Sequence, residues 1–274
     1  MKRSTKVLGK TSSRLLTALS SQNTSVFTIS EAQEITKTSL VATRNLLSDL
    51  VKKNWLVRLV PGKYLIVPLS AGEKAEFSED WFVIGKNLVE PAPYYFSHYS
   101  ALDLLQMTSQ PIMTVYVTTP KRHRPVKILG ATYRFIYSKP DKLWGIEEIW
   151  AKPTEKVKVS DLERTIIDCL ANPQLCGGIT EISKGLWSKR SEVDLPKLVG
   201  YIERYGSKAV AKRLGFLLET FKLGGKQIIK DLQEMIGTSF VLLDPSLPAS
   251  GKRTSRWGLR ININPQELKE IIKT

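Results

Sequence analysis

Three carboxylates in one short stretch, Asp161, Glu163 and Asp168, are the residues of this 274-residue chain that most resemble catalytic machinery. Acids so placed hold divalent cations in nucleases and nucleotidyltransferases, where the metal neutralises a reacting phosphoryl group. The local sequence offers a simpler account. Ser160-Asp161-Leu162-Glu163 reads as a capping box opening a helix over 161–171, and acids in a first turn complement the helix dipole. No Gly-rich phosphate loop, Ser/His/Asp set or Asp-x-Asp pair accompanies them. His98 follows a cap, Ser97, within the aromatic run Tyr94, Tyr95, Phe96 and Tyr99, where a packed or surface imidazole is commoner than a catalytic one. Cys169 and Cys176 are too few for a disulfide framework, and with His98 and His123 they give no zinc-like spacing. The expectation is a chain with no catalytic residues, no metal and no cofactor, whose two thiols are structural.

A different chemistry is written in the basic residues. Residues 1–70 hold eleven Lys and Arg against three acids, so this quarter of the chain carries +8 of the total +15. A basic segment of this kind attracts polyanions, of which double-stranded DNA is the commonest; charge alone also fits RNA or a membrane surface. The candidate contacts are Thr38, Ser39, Ala42, Arg44, Asn45, Ser48, Lys52, Arg58 and Lys63. Arg44 has the donors for a guanine edge and Asn45 the amide for an adenine edge, or either can hold phosphate, while small Ser39 and Ala42 permit close approach. Free N–H groups near Ser30 and Ser39 suit phosphate oxygens. Lys121, Arg122 and Arg124, and Lys252, Arg253 and Arg256, form two further basic clusters that read as solvated loops, as an extension of the DNA footprint, or as a surface for an acidic or nucleic-acid-bound partner.

These side chains need a scaffold, and the periodicity supplies one. A helix over Thr11–Ser20, capped by Ser12 or Ser13, turns Leu15, Leu16 and Leu19 inward. A short second helix starts at a capping box of Ser30 and Gln33, with Ile29 in the staple position, and ends near Lys37. A third, capped by Thr38 or Ser39, runs to about Lys53 and buries Leu40, Thr43, Leu47, Leu50 and Val51, leaving Val41, Ala42, Arg44, Asn45 and Ser48 outward. Trp55–Val60, the turn Pro61-Gly62 and Lys63–Val67 then form a hairpin. Two helices with a short connection followed by a hairpin describe a winged helix-turn-helix.

Residues 68–80 are polar and turn-rich, which places a boundary between a domain over 1–72 and a larger one over 73–274. Beyond it, a helix over His98–Gln106 and strands at Ile112–Thr118, Tyr133–Tyr137 and Val157–Val159 precede helices at about 161–171, 179–188, 195–205, 207–221 and 226–236. A strand within Trp257–Ile263 and a helix from Pro265 close the chain. The expected fold class is α+β, with strands first and a helical C-terminal half. The apolar fraction of 42% and charged fraction of 24% are ordinary for a soluble domain, and no apolar run is long enough for a bilayer or a signal peptide. The expected location is the cytoplasm.

Several stretches stand in order along the chain: Trp55-Leu56-Val57-Arg58 with Pro61-Gly62-Lys63-Tyr64, Tyr95-Phe96-Ser97-His98-Tyr99-Ser100-Ala101-Leu102, Val115-Tyr116-Val117-Thr118-Thr119, Val159-Ser160-Asp161-Leu162-Glu163-Arg164-Thr165-Ile166-Ile167-Asp168-Cys169-Leu170 and Arg213-Leu214-Gly215-Phe216-Leu217-Leu218-Glu219. In that order they resemble the AbiEi family of antitoxins from type IV toxin–antitoxin systems. The resemblance implies an N-terminal winged helix that represses its own operon at inverted repeats of operator DNA. It also implies a C-terminal domain that counteracts a nucleotidyltransferase toxin, without requiring a stable complex. The tight Pro61-Gly62 turn departs from the pattern and limits the reach of the wing. Two alternatives stay open: a ligand- or partner-sensing regulator without a toxin, and a nucleic-acid-processing enzyme guided by the winged helix. With no heptad and no long exposed apolar stripe, two monomers meeting on an inverted repeat are favoured over a dedicated dimer.

Overall fold

The computed structural model describes residues 8–68, 81–153 and 155–271. The expected domain boundary after residue 72, and the basic residues Lys2, Arg3 and Lys6, lie outside the described residues. The architecture is α+β. Helix α1 (Lys10–Ser21) is followed by strand β1 (Val26–Thr28), helices α2 (Ile29–Thr36) and α3 (Leu40–Lys52), and a hairpin of β2 (Leu56–Val60) and β3 (Lys63–Ile66). β3 lies between β1 and β2, antiparallel to both. Leu15, Leu16 and Leu19 of α1 share a small core with Phe27, Ala32, Leu47, Leu50, Leu56 and Tyr64.

Helix starts differ from expectation for local reasons. α1 opens at Lys10 behind Gly9, and Ser12 is buried instead of capping. The capping box of α2 is Thr28 with Glu31, not Ser30 with Gln33: Glu31 Oε2 accepts from the Thr28 amide at 2.6 Å, and Thr28 Oγ1 accepts from the Glu31 amide at 3.3 Å. Pairing of Thr28 with Lys63 holds the backbone extended up to Thr28, so the helix can only begin there. Between α2 and α3, Lys37 turns the chain through a left-handed conformation, φ 55°. The hydroxyls of Thr36, Thr38 and Thr43 then bridge the two helices at 2.9 Å per contact. Ser39 caps α3 through the Ala42 amide.

Helix α4 (Trp81–Val89), not anticipated from the sequence, connects this unit to a six-stranded sheet. Its strands are β4 (Tyr95–Phe96), β5 (Thr114–Thr119), β6 (Val126–Ile128), β7 (Ala131–Tyr137), β8 (Ile146–Lys152) and β9 (Glu155–Ser160), in the order β6-β7-β5-β4-β9-β8. The β5–β7 and β4–β9 pairs are parallel and the rest antiparallel. A Cβ on Gly85 of α4 would sit 2.8 Å from Phe96, so a glycine lets helix and sheet approach this closely. Between β4 and β5, helix α5 (Tyr99–Leu104) is shorter than expected and is not capped by Ser97. That hydroxyl contacts Thr118 at 2.7 Å and His98 Nδ1 at 2.8 Å, because Ser97 continues the β4–β5 pairing.

The C-terminal half is helical: α6 (Leu162–Ala171), α7 (Gly178–Ser188), α8 (Leu195–Tyr205), α9 (Lys208–Thr220) and α10 (Lys226–Met235). A three-stranded sheet of β10 (Val241–Leu242), β11 (Lys252–Thr254) and β12 (Leu259–Ile261) precedes α11 (Pro265–Ile271). Ile166, Ile182, Ile202, Leu214 and Trp257 belong to one apolar core. Trp257 lies so close over Gly215 that a side chain there has no room. Among the described residues no helix is long and apolar enough to cross a membrane.

Candidate nucleic-acid interface

α3 buries Thr43, Leu47 and Leu50, which fixes the direction of everything else it carries. The opposite side presents Val41, Asn45, Ser48 and Lys52 along one stripe at helical spacing, with Arg44 beside it and Ser39 and Ala42 at the first turn, all exposed. Among the described residues the side chains of Arg44, Asn45 and Ser48 have no hydrogen-bond or ion-pair partner, so their polar groups face only solvent. Lys52 sits 3.9 Å from Asp49. Thr38 is different, since its hydroxyl is used between Thr36 and Thr43 and it shapes the turn between the helices. The expected burial of Leu40 does not hold: it is 40% exposed, and Val41 beside it is 66% exposed. Leu40 comes directly after the Ser39 cap, ahead of the first helical turn that reaches the core.

The hairpin is tied down on two sides. Gly62 O, at the turn, accepts from the Ile29 amide at 2.9 Å, which pins the tip to the start of α2. Leu65, with Val57, Leu59 and Val60 against it, joins the core of α4 and the six-stranded sheet. Lys63 Nζ donates to Asn87 Oδ1 of α4 at 3.2 Å, whereas Arg58 is exposed on β2. Of the two further basic clusters, Lys121, Arg122 and Arg124 lie in the exposed connection between β5 and β6, with the Arg122 guanidinium 4.8 Å from the Tyr137 ring. Lys252 and Arg253 are exposed on β11, and Arg256 is bound to Glu219 at 2.6 Å.

The acidic stretch is occupied by intramolecular partners. Asp161 caps α6 through the Arg164 amide at 2.8 Å and accepts from the Tyr201 hydroxyl at 2.9 Å. The capping box expected with Ser160 is absent; Ser160 Oγ contacts Thr165 Oγ1 at 2.7 Å. Glu163 instead accepts from the Asp194 amide at 2.9 Å and from Lys197 Nζ at 2.7 Å, bridging α6 to α8. Burial lowers the pKa of Lys197, but hydrogen bonds and charge from Glu163 and Asp161 outweigh it and hold the net shift upward. Asp168 accepts from Arg164 Nε at 2.9 Å and from the Tyr95 hydroxyl at 3.0 Å, and the Arg164 guanidinium lies 4.1 Å from the Trp144 ring. His98 is buried, its Nε2 is 3.3 Å from Asn172 Nδ2, and burial lowers its pKa against the pull of Asp168. Cys169 and Cys176 are free, buried thiols. Among the described residues no three His, Cys, Asp or Glu side chains are grouped as a metal ion requires.

No family model and no curated protein matches the chain. Among solved structures, it is similar to the crystal structure of the RV2827C protein from Mycobacterium tuberculosis. The two share 13% identity with a TM-score of 0.67, over 98% of this chain and 96% of that one. At that identity the likeness establishes a common fold along the whole length.

Proposed function

We propose that the chain is a DNA-binding regulator whose N-terminal unit is a winged helix-turn-helix, and that it acts as the autorepressing antitoxin of a type IV toxin–antitoxin system. The observation that carries the DNA-binding part is the outer face of α3: Arg44, Asn45 and Ser48 stand exposed, without a partner among the described residues, on a helix whose first turn is lined by Ser39 and Ala42. One α-helix fits the major groove, and donors of these types match base edges and phosphates. The element order α1-β1-α2-α3-β2-β3, with β3 central in its sheet, is the order a winged helix requires. With Lys63 held by Asn87 and Gly62 pinned to Ile29, contacts to the backbone come from Arg58 and α3, and the hairpin tip stays out of the minor groove.

The antitoxin part rests on the ordered resemblance described above, and it takes a nucleotidyltransferase-type toxin as functional partner. The carboxylates Asp161, Glu163 and Asp168 are read as scaffold, consistent with their partners on α8, Arg164 and Tyr95. The direct test is co-expression with the adjacent reading frame. A nucleotidyltransferase-like product that is toxic alone and harmless beside this chain is the expected result, and unrelieved toxicity defeats the antitoxin reading. Binding to the operon's own promoter tests the regulator reading separately.

A further inference from the structure

Val41 is among the most exposed large apolar side chains of the described residues, at 66%, and Leu40 next to it is 40% exposed. Both stand on the first turn of α3. Val41 lies in line with Asn45, Ser48 and Lys52, at the N-terminal end of the outward stripe, with Arg44 one turn on. Exposed apolar side chains at the start of a face continued by Arg44, Asn45, Ser48 and Lys52 gain nothing from water. The major groove contains one apolar feature at base level, the C5 methyl group of thymine. A helix that enters with its first turn foremost sets its earliest outward side chain against the floor of the groove.

We propose that Val41 is a specificity-determining residue that reads a thymine methyl in the operator half-site, with Leu40 flanking the same contact. This rests on the DNA-binding reading given above and names the base feature which that reading leaves open. Ser39 and Ala42 are small enough to let Val41 approach, while Asn45 and Arg44 reach the neighbouring pairs. The half-site therefore carries a thymine next to the positions at which polar contacts are made.

The test uses the full chain. An operator is first enriched from random duplex DNA, and each thymine is then replaced singly by deoxyuridine, which keeps the pairing and removes only the methyl. Affinities are measured by fluorescence anisotropy for the native protein and for Val41→Ala. The native protein is expected to lose roughly fourfold at one uracil position per half-site, the effect of one buried methyl group. Val41→Ala is expected to bind the thymine operator several-fold more weakly and to lose the preference for thymine at that position alone. Equal affinity of the native protein for every uracil duplex overturns the proposal, as does a thymine preference that survives Val41→Ala. An equal loss on thymine and uracil DNA together with a change in oligomeric state assigns Val41 to a protein contact and also overturns it. If no sequence is enriched, the DNA-binding reading itself fails, and that outcome is distinct from the others.

Discussion

At the scale of single residues, the outer face of α3 and the buried pairs behind the sheet make opposite demands. Arg44 and Asn45 have no partner among the described residues, so their removal is expected to leave the fold unchanged and to show in binding alone. Arg44→Ala and Asn45→Ala are each expected to weaken operator binding by about 1–3 kcal/mol, with melting temperatures unchanged. Lys63→Ala, by contrast, loses a bond to Asn87, and its operator affinity is expected to stay within about twofold of native. Arg164 and Asp168 are 3% and 4% exposed, and deleting one strands the other's charge in the interior. Asp168→Ala is therefore expected to cost about 3–5 kcal/mol in urea denaturation. His98 adds a pH dependence. Burial lowers its folded pKa, so as pH falls below about 6.5 the unfolded chain takes up a proton that the folded chain refuses. Stability contributed by the neutral ring is complete above that pH and is lost towards the folded pKa. The denaturation midpoint is expected to drop between neutral pH and pH 5, and His98→Gln should flatten that slope; an unchanged slope assigns it to other groups.

Secondary-structure elements divide into those with their own local signal and those made by contact. α7, α8, α9 and α10 were legible because each carries an apolar stripe at helical period along its length. α4 was not, since Trp81-Phe82-Val83-Ile84 is apolar without a polar face, and both sides of it are covered by the sheet and the hairpin. β1 and β4, three and two residues long, are too short to show alternation although their residues favour strands, and exist through pairing with β3 and β5. The shift of the α2 cap from Ser30 to Thr28 has the same origin. The outward face of α3 was readable from the sequence because the buried Thr43, Leu47 and Leu50 orient it; the exposure of Leu40 was not, because it depends on where the helix begins. The tether of Lys63 to α4 is invisible in the local sequence because it spans 24 residues. At this scale Thr28→Ala is expected to cost about 1 kcal/mol of stability through the lost cap. Gly215→Ala, which favours a helix by propensity, is expected to destabilise by about 1–3 kcal/mol because Trp257 fills the space.

Across the whole molecule, the N-terminal unit and the larger body are packed through a shared apolar seam instead of being joined only by a linker. Leu65 of the hairpin is fully buried among Ile84, Leu88 and Phe96 in the core of α4 and the sheet, and Lys86 of α4 holds Glu155 of β9 at 2.6 Å. Leu65→Ala is expected to cost about 2–5 kcal/mol. It should also lower amide protection in β3 and α4 together by hydrogen exchange, and loss confined to β3 contradicts a shared core. Such a seam sets the orientation of α3 relative to the body that carries Lys121, Arg122 and Arg124. The outer face of α3 is proposed to read operator DNA. The most direct measurement is a footprint of the full chain on the promoter of its own operon, repeated with Arg44→Ala/Asn45→Ala at moderate salt. Protection of two inverted half-sites by the native protein, lost in the double variant, is the expected result; an unchanged footprint, or no protection by either protein, contradicts a DNA-reading α3.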